Sequence, residues 1–171
     1  MPPPWRLALL SDGSVTRHLR LLTAQEVHVD CLEQSEVRGE AARARVPPAA
    51  WAVDPARLVQ RQVTLRAGVD RDAPPLVYAC SWWSAEAVDG FLRDRSAPIW
   101  ASLSVGRREL YREILHLCCG ESQDLQRTFG CQGPFWGRLY YFYHGGRPIT
   151  LIYEAFSPAL DEFLLPPPPP S

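Results

Sequence analysis

The 171-residue chain contains no lysine; all 18 of its cationic side chains are arginine. This absence excludes Schiff-base and lysine general-base chemistry, and codon usage in a GC-rich genome is cause enough for it. An excess of charge is also lacking. The formal net charge is −1, so no global field recruits nucleic acid or an anionic membrane surface. No apolar run approaches the roughly eighteen residues that span a bilayer. The opening Met1-Pro2-Pro3-Pro4 has neither the charged region nor the apolar stretch of a secretory signal, so a cytoplasmic location is expected. Cys31, Cys80, Cys118, Cys119 and Cys131 are odd in number and form no C-x-x-C pair, which argues against a disulfide framework or a zinc site. His18, His28, His116 and His144 are not at metal-ligand spacing. A Gly-rich phosphate loop is absent, and no cysteine falls into a Cys–His nucleophile arrangement.

What is present is ordinary for a globular protein: 46% hydrophobic and 22% charged residues. One domain over 1–171 is expected, with Pro-rich extended ends at 1–4 and 166–171 and an exposed connection over 39–55. Apolar residues at 7–10 predict a short strand. Ser14 or Asp12 then caps a helix over 15–22, with Leu19 and Leu22 on one face. Alternation predicts strands over 26–32, 58–66 and 76–83. Ser84 opens a helix to about 93, and 109–119 reads as a strand. Strands over 138–144 and 148–156 flank Gly145-Gly146, a hairpin signal, and a short helix follows near Asp161. Hairpin-linked strands with grouped helices imply an α+β fold built on a single antiparallel sheet. Strand–helix–strand repeats of a nucleotide-binding fold are not visible.

Charges on core faces mark where function sits. In the 58–66 strand, Val59, Arg61, Val63 and Leu65 share a face, and Arg61 is its one polar residue. A guanidinium cannot shed its proton, so its burial requires an anionic partner or several acceptors. In Thr150-Leu151-Ile152-Tyr153-Glu154-Ala155-Phe156 both faces are apolar and Glu154 is the only charge. Two readings stand at this point: a structural Arg61–Glu154 ion pair, or a ligand site lined by both. Arg112, beside Leu110 and Ile114, is a weaker candidate for a second anion contact. The aromatic run around Trp136, Tyr140, Tyr141, Phe142 and Tyr143 reads as core packing, since no basic patch accompanies it to suggest single-stranded nucleic acid.

Seven stretches occurring in order carry a resemblance. They are Leu9-Leu10-Ser11-Asp12-Gly13-Ser14-Val15-Thr16-Arg17, Arg61-Gln62-Val63-Thr64-Leu65, Ala79-Cys80-Ser81-Trp82-Trp83 and Ala97-Pro98-Ile99-Trp100. Glu109-Leu110-Tyr111-Arg112, Gly133-Pro134-Phe135-Trp136-Gly137-Arg138 and the segment from Pro148 to Pro158 complete the set. On these the chain resembles the chorismate lyases, in particular their cyanobacterial and plastid-type branch.

The resemblance implies a single antiparallel sheet with helical flaps over a buried pocket. It implies conversion of chorismate to 4-hydroxybenzoate and pyruvate, without metal or cofactor, for quinone biosynthesis of the plastoquinone type. It places the ligand on Arg61 and Glu154 as catalytic residues, with flap contacts at Val15 and Ile99 made through backbone amides and a further arginine at Arg112. The better-known bacterial branch has an arginine where this chain has Cys80, which leaves the second carboxylate of chorismate to Arg112 or Arg138.

Small-molecule substrate and product, no nucleic acid, no membrane span and a monomer are the expected partnerships. The competing class is a non-catalytic aromatic-acid effector-binding protein of the same fold. So few residues precede the first element that a freestanding protein is expected rather than a fused regulator.

Overall fold

The structure, a computed structural model, describes residues 1–70, 72–91 and 111–164. Helices α1 (Pro3–Leu10) and α2 (Val15–Thr23) lead into strand β1 (Val27–Glu36). A short α3 (Glu40–Arg43) and a 3₁₀ turn (Pro48–Ala52) follow, then β2 (Leu58–Ala67), β3 (Val77–Ser84) and α4 (Ala85–Phe91). After these come β4 (Tyr111–Gly120), α5 (Gln123–Phe129), β5 (Phe135–His144), β6 (Arg147–Phe156), a second 3₁₀ turn (Pro158–Leu160) and α6 (Asp161–Leu164). The six strands form one sheet in the order β1-β2-β3-β6-β5-β4, and every neighbouring pair is antiparallel. The expected α+β architecture is the one observed.

Two glycines in the left-handed region, Gly145 (φ 56°) and Gly146 (φ 74°), make the β5–β6 turn. That backbone twist matches a two-residue hairpin. Ser14 caps α2 by accepting a hydrogen bond from the Arg17 amide.

Three expectations need correction. Residues 7–10 are the end of a helix, not a strand. Pro3 and Pro4 sit in its first turn, where a missing N–H costs nothing. Trp5 and Leu9, four apart, are buried, while Leu7 and Leu10 face solvent. A four-residue apolar run cannot by itself separate the two periods. The proline-rich start is therefore not an extended end. The 39–55 segment is not an exposed connection throughout: Val46 and Ala50 are buried against the sheet with Leu58, Cys80 and Leu151. Tyr141 Oη donates to Ala49 O (2.5 Å) and fastens this segment to β5. Helix α5 had no apolar stripe long enough to announce it. It is fixed by the Ser122 cap at its start, Gly130 in the left-handed region at its end, and Leu125 and Phe129 packed on Phe135 and Ala155.

The register assigns side chains to faces, because opposed residues of antiparallel strands point the same way. One row runs Arg61, Ser81, Ile152, Tyr140, Ile114; the next holds Val63, Ala79, Glu154, Arg138. Flanking the Arg61 row on the same face is the row Val59, Trp83, Thr150, Phe142, Arg112. Helices α1 and α2 cover this face through Trp5, Leu9 and Leu19, packed on Val63, Leu65, Val77 and Phe156. Trp5 Nε1 donates to Asp161 Oδ1 (2.6 Å), tying α1 to the C-terminal helix.

Candidate active site

Between the sheet and the start of α2 lies a cavity lined by Ser14, Val15, Arg61, Arg112, Tyr140 and Glu154 together with apolar side chains. Its mostly apolar walls with a few convergent polar groups have the character of a small-molecule site. Arg61 (1% exposed) and Glu154 (3%) are both buried, although 93 residues separate them by number. Val15 opens α2, so the first amides of that helix, which have no intrahelical acceptor, stand at the cavity's edge. Ile99 lies outside the described residues.

Glu154 is held at both oxygens. Arg138 Nε donates to Oε2 (2.6 Å), and Tyr140 Oη donates to Oε1 (3.0 Å). Of the two readings open in the sequence, the ion pair is real but its cation is Arg138, not Arg61. Burial works against the charge on Arg138, and Glu154 outweighs it, so the guanidinium is held above its usual range. Burial first, and then the Glu154 charge, push the Tyr140 phenol far above its ordinary value, which keeps it a donor. Arg138 Nη1 reaches the last carbonyls of α1, at Leu9 O (2.8 Å) and Ala8 O (3.3 Å). A cation there complements the negative end of the helix. Arg138 is thus the clamp between α1 and Glu154; it lies behind the cavity wall, not on it.

Arg112 does line the cavity. Its Nη1 donates to Ser11 O (2.7 Å) and Gly13 O (3.1 Å), the carbonyls of the α1–α2 turn. Its guanidinium lies over the rings of Tyr140 (4.5 Å) and Phe142 (4.9 Å). His18, on the outer side of that turn, has its pKa lowered by burial, then by the nearby Arg138 and Arg112.

Cys80 belongs to the opposite face. It packs with Trp82, Tyr141 and Leu151, receives a hydrogen bond from Gln60 Nε2 (3.4 Å), and has its thiol pushed up to about 12 by burial. The departure at Cys80 therefore does not touch the cavity wall. Arg138 and Tyr140 are the residues whose place was missed. Reading the strand from 138 put Arg138 at its first position and hid the face Trp136, Arg138, Tyr140, Phe142, where Arg138 is the one charge. Starting the strand at Phe135 would have exposed it by the same test that found Arg61.

Among the described residues there is no group of histidine, cysteine and carboxylate side chains that could hold a metal ion, and no helix is long and apolar enough to cross a membrane.

A charge-bearing cavity under a helical cover on one face of an antiparallel sheet defines a small-molecule-binding α+β protein. Residues 9–164 match the family described as chorismate pyruvate-lyase, Rv2949c-like, and the chain belongs to that family. It is 32% identical over 158 residues to the uncharacterized protein ycf21 of Cyanophora paradoxa, covering 91% of this chain and 78% of that one. A ycf21 protein of Pyropia yezoensis is also 32% identical, over 95% and 86% of the two chains. The fold recurs in the effector domain of PhnF from Mycobacterium smegmatis, with a TM-score of 0.63, 14% identity, and 88% and 92% coverage. It recurs as well in the C-terminal domain of the histidine utilization repressor of Pseudomonas syringae, with a TM-score of 0.59, 15% identity, and 78% and 93% coverage.

Proposed function

We propose that this protein is a cytoplasmic chorismate lyase, releasing pyruvate and leaving 4-hydroxybenzoate for quinone biosynthesis. The observation that carries the reading is the meeting of Arg61 and Glu154 in one cavity while Glu154 already has Arg138 as its ion-pair partner. Glu154 therefore needs no charge from Arg61 and is oriented as an acceptor.

In chorismate, the C3–O bond to the enolpyruvyl group breaks and the C4 proton is lost, which makes the ring aromatic. The departing enolpyruvate takes up a proton and becomes pyruvate. Aromatisation supplies the driving force, so the protein's task is to fix the reactive conformer, exclude water and meet the developing charge. Arg61 pairs with the ring carboxylate through its forked N–H groups, aided by the Val15 amide at the start of α2 and by Ile99. Glu154, fixed by Arg138 and Tyr140, accepts the hydrogen bond of the ring hydroxyl. The apolar wall of Val63, Leu65, Ala79 and Ile152 receives the ring.

Arg61→Ala tests this directly. The variant is expected to fold, as judged by its circular dichroism and cooperative melting, and to release no pyruvate from chorismate. Normal turnover in that variant rules the role out. The likeness to effector domains favours one other reading, a protein that binds an aromatic acid without reaction. Tight 4-hydroxybenzoate binding by the wild type with no pyruvate released from chorismate would select it.

A further inference from the structure

Helices α1 and α2 carry apolar side chains on the side that packs and again on the side that does not. Trp5, Leu9 and Leu19 enter the core and account for the inward face. Leu7 (75% exposed), Leu10 and Leu21 (71%) stand outside it, and Phe163 of α6 is exposed as well. These residues are not scattered. Pro4, Leu7, Leu21, Leu22, Phe163 and Leu164 line one surface groove, and Leu10 is one turn along α1 from Leu7. Helix α5 also packs on the sheet, through Leu125 and Phe129, yet its exposed positions are Gln123, Asp124 and Arg127. That polar outer face is what a helix needs to cover a core and no more. A single exposed leucine is ordinary; a contiguous group marks a surface that meets something apolar.

The charge around this group is one-sided. Helices α1 and α2 hold Arg6, Arg17 and Arg20, all exposed, and no carboxylate. Arg6 and Leu10 are four residues apart, as are Arg17 and Leu21, so each pair shares a helix face. Arg20 is paired with Glu26 (2.5 Å). Asp161 of α6 accepts from Trp5, and Asp12 and Glu162 are the exposed acids of these segments. A net charge of −1 supplies no long-range field, so attraction to this surface acts locally, within about 10 Å. The groove's polar liners, Ser11 and His18, are hydrogen-bonded to each other (3.3 Å). That leaves little to orient a protein partner, whose interface carries directional hydrogen bonds. A fluid lipid surface asks for none: leucine and phenylalanine enter the acyl boundary while guanidinium groups stay at the phosphates.

We propose that the outer face of α1, α2 and α6 docks peripherally on an anionic lipid surface. Leu7, Leu10, Leu21 and Phe163 enter the headgroup boundary, and Arg6 and Arg17 pair with lipid phosphates. The same two N-terminal helices cover the cavity, and their connecting turn supplies the carbonyls that receive Arg112. Docking therefore sets the cover of the site against the membrane. The inference goes beyond the lyase reading and does not depend on it.

The test is flotation of the full chain with two kinds of vesicle, phosphatidylcholine alone and equal parts phosphatidylcholine and phosphatidylglycerol. Binding to the anionic vesicles is expected to be at least about tenfold tighter than to the neutral ones, and to weaken as salt is raised. Leu7→Glu combined with Leu21→Glu is expected to weaken it at least about tenfold. Arg6→Ser and Arg17→Ser are expected to cost about fivefold each. Val69 is 95% exposed in the β2–β3 connection, and Val69→Glu, which adds the same charge there, is expected to change binding less than about twofold. No binding to either vesicle, equal binding to both, or an equal loss in Val69→Glu overturns the proposal. A lipid-free dimer that the double variant dissociates overturns it too, because the patch is then an interface between copies. Should the glutamate variant lose its cooperative melting, Leu7→Ser with Leu21→Ser removes apolar area without adding charge, and unchanged vesicle binding there also overturns the docking. No substrate is present in these measurements. Their failure leaves the lyase reading untouched, and a protein that releases no pyruvate from chorismate can still float with anionic vesicles.

Discussion

The two faces of the sheet are built from the same strands and solve the problem of buried polarity differently. On the face under α1 and α2, Arg61, Arg112, Arg138 and Glu154 are all buried. On the opposite face no buried residue among those described is charged, and the polar groups are neutral. There Tyr78 Oη donates to Gln62 Oε1 (2.7 Å), Gln60 donates to Cys80, and Tyr141 reaches the Ala49 carbonyl. Neutral pairs suffice where the purpose is to seal a core. Formal charges in a dry space are costly, and replacing such pairs by apolar groups often stabilises a protein. Their confinement to the face that holds the cavity supports the site proposed for Arg61 and Glu154.

The largest break in this comparison is expected at the Arg138–Glu154 pair. Removing the charge with Glu154→Gln strands Arg138 in the interior, at a cost of roughly 3–5 kcal/mol to stability. Urea denaturation reads it, and a loss below about 1 kcal/mol would show that the pair is not buried as described. Next comes a substitution that acts from the neutral face. A Cβ on Gly137 would lie 2.8 Å from Cys118 Sγ, 3.1 Å from Glu154 O and 3.2 Å from the Tyr153 ring. Gly137→Ala is expected to cost about 1–3 kcal/mol by overpacking, and to impair the site through the Glu154 backbone. Unaltered melting would refute the close approach.

The smallest effect concerns the reach of the charged face beyond its own cavity. His18 has its pKa lowered by burial and by the two arginines beneath the turn. The unfolded chain then takes up a proton at a pH where the folded one does not. Stability is complete above the ordinary histidine range near 6.5 and falls as pH drops through it to the lowered value. The wild-type melting temperature should decline more steeply than that of His18→Gln between about pH 7 and pH 5. Parallel slopes would remove His18 from the field of the arginines.

Much of this was legible in the order of residues. Alternation in β2 isolated Arg61 on an apolar face, and the apolar surroundings of Glu154 in β6 marked it as an anomaly. Gly145-Gly146 announced the hairpin because two successive left-handed residues are cheap only for glycine. The resemblance of seven ordered stretches pointed to the family that the match over residues 9–164 shows. Where the reading failed, the local signal was short or its starting point misplaced: four apolar residues at the end of α1, seven residues of α5, and a strand begun three residues late at Arg138.

The sequence alone determined which residues alternate, which break the alternation, and that the fold is an α+β sheet. It could not determine which charges meet. Arg138 and Glu154 are opposed only because β5 and β6 pair in one particular register, and a slip of one residue would send either to the other face. Arg112 is pinned to carbonyls about a hundred positions away in the chain, a contact that no local pattern encodes. Pairing across strands is settled by the packing of the whole sheet. The Glu154 partner of Arg138, and the carbonyls that receive Arg112, therefore belong to the tertiary structure.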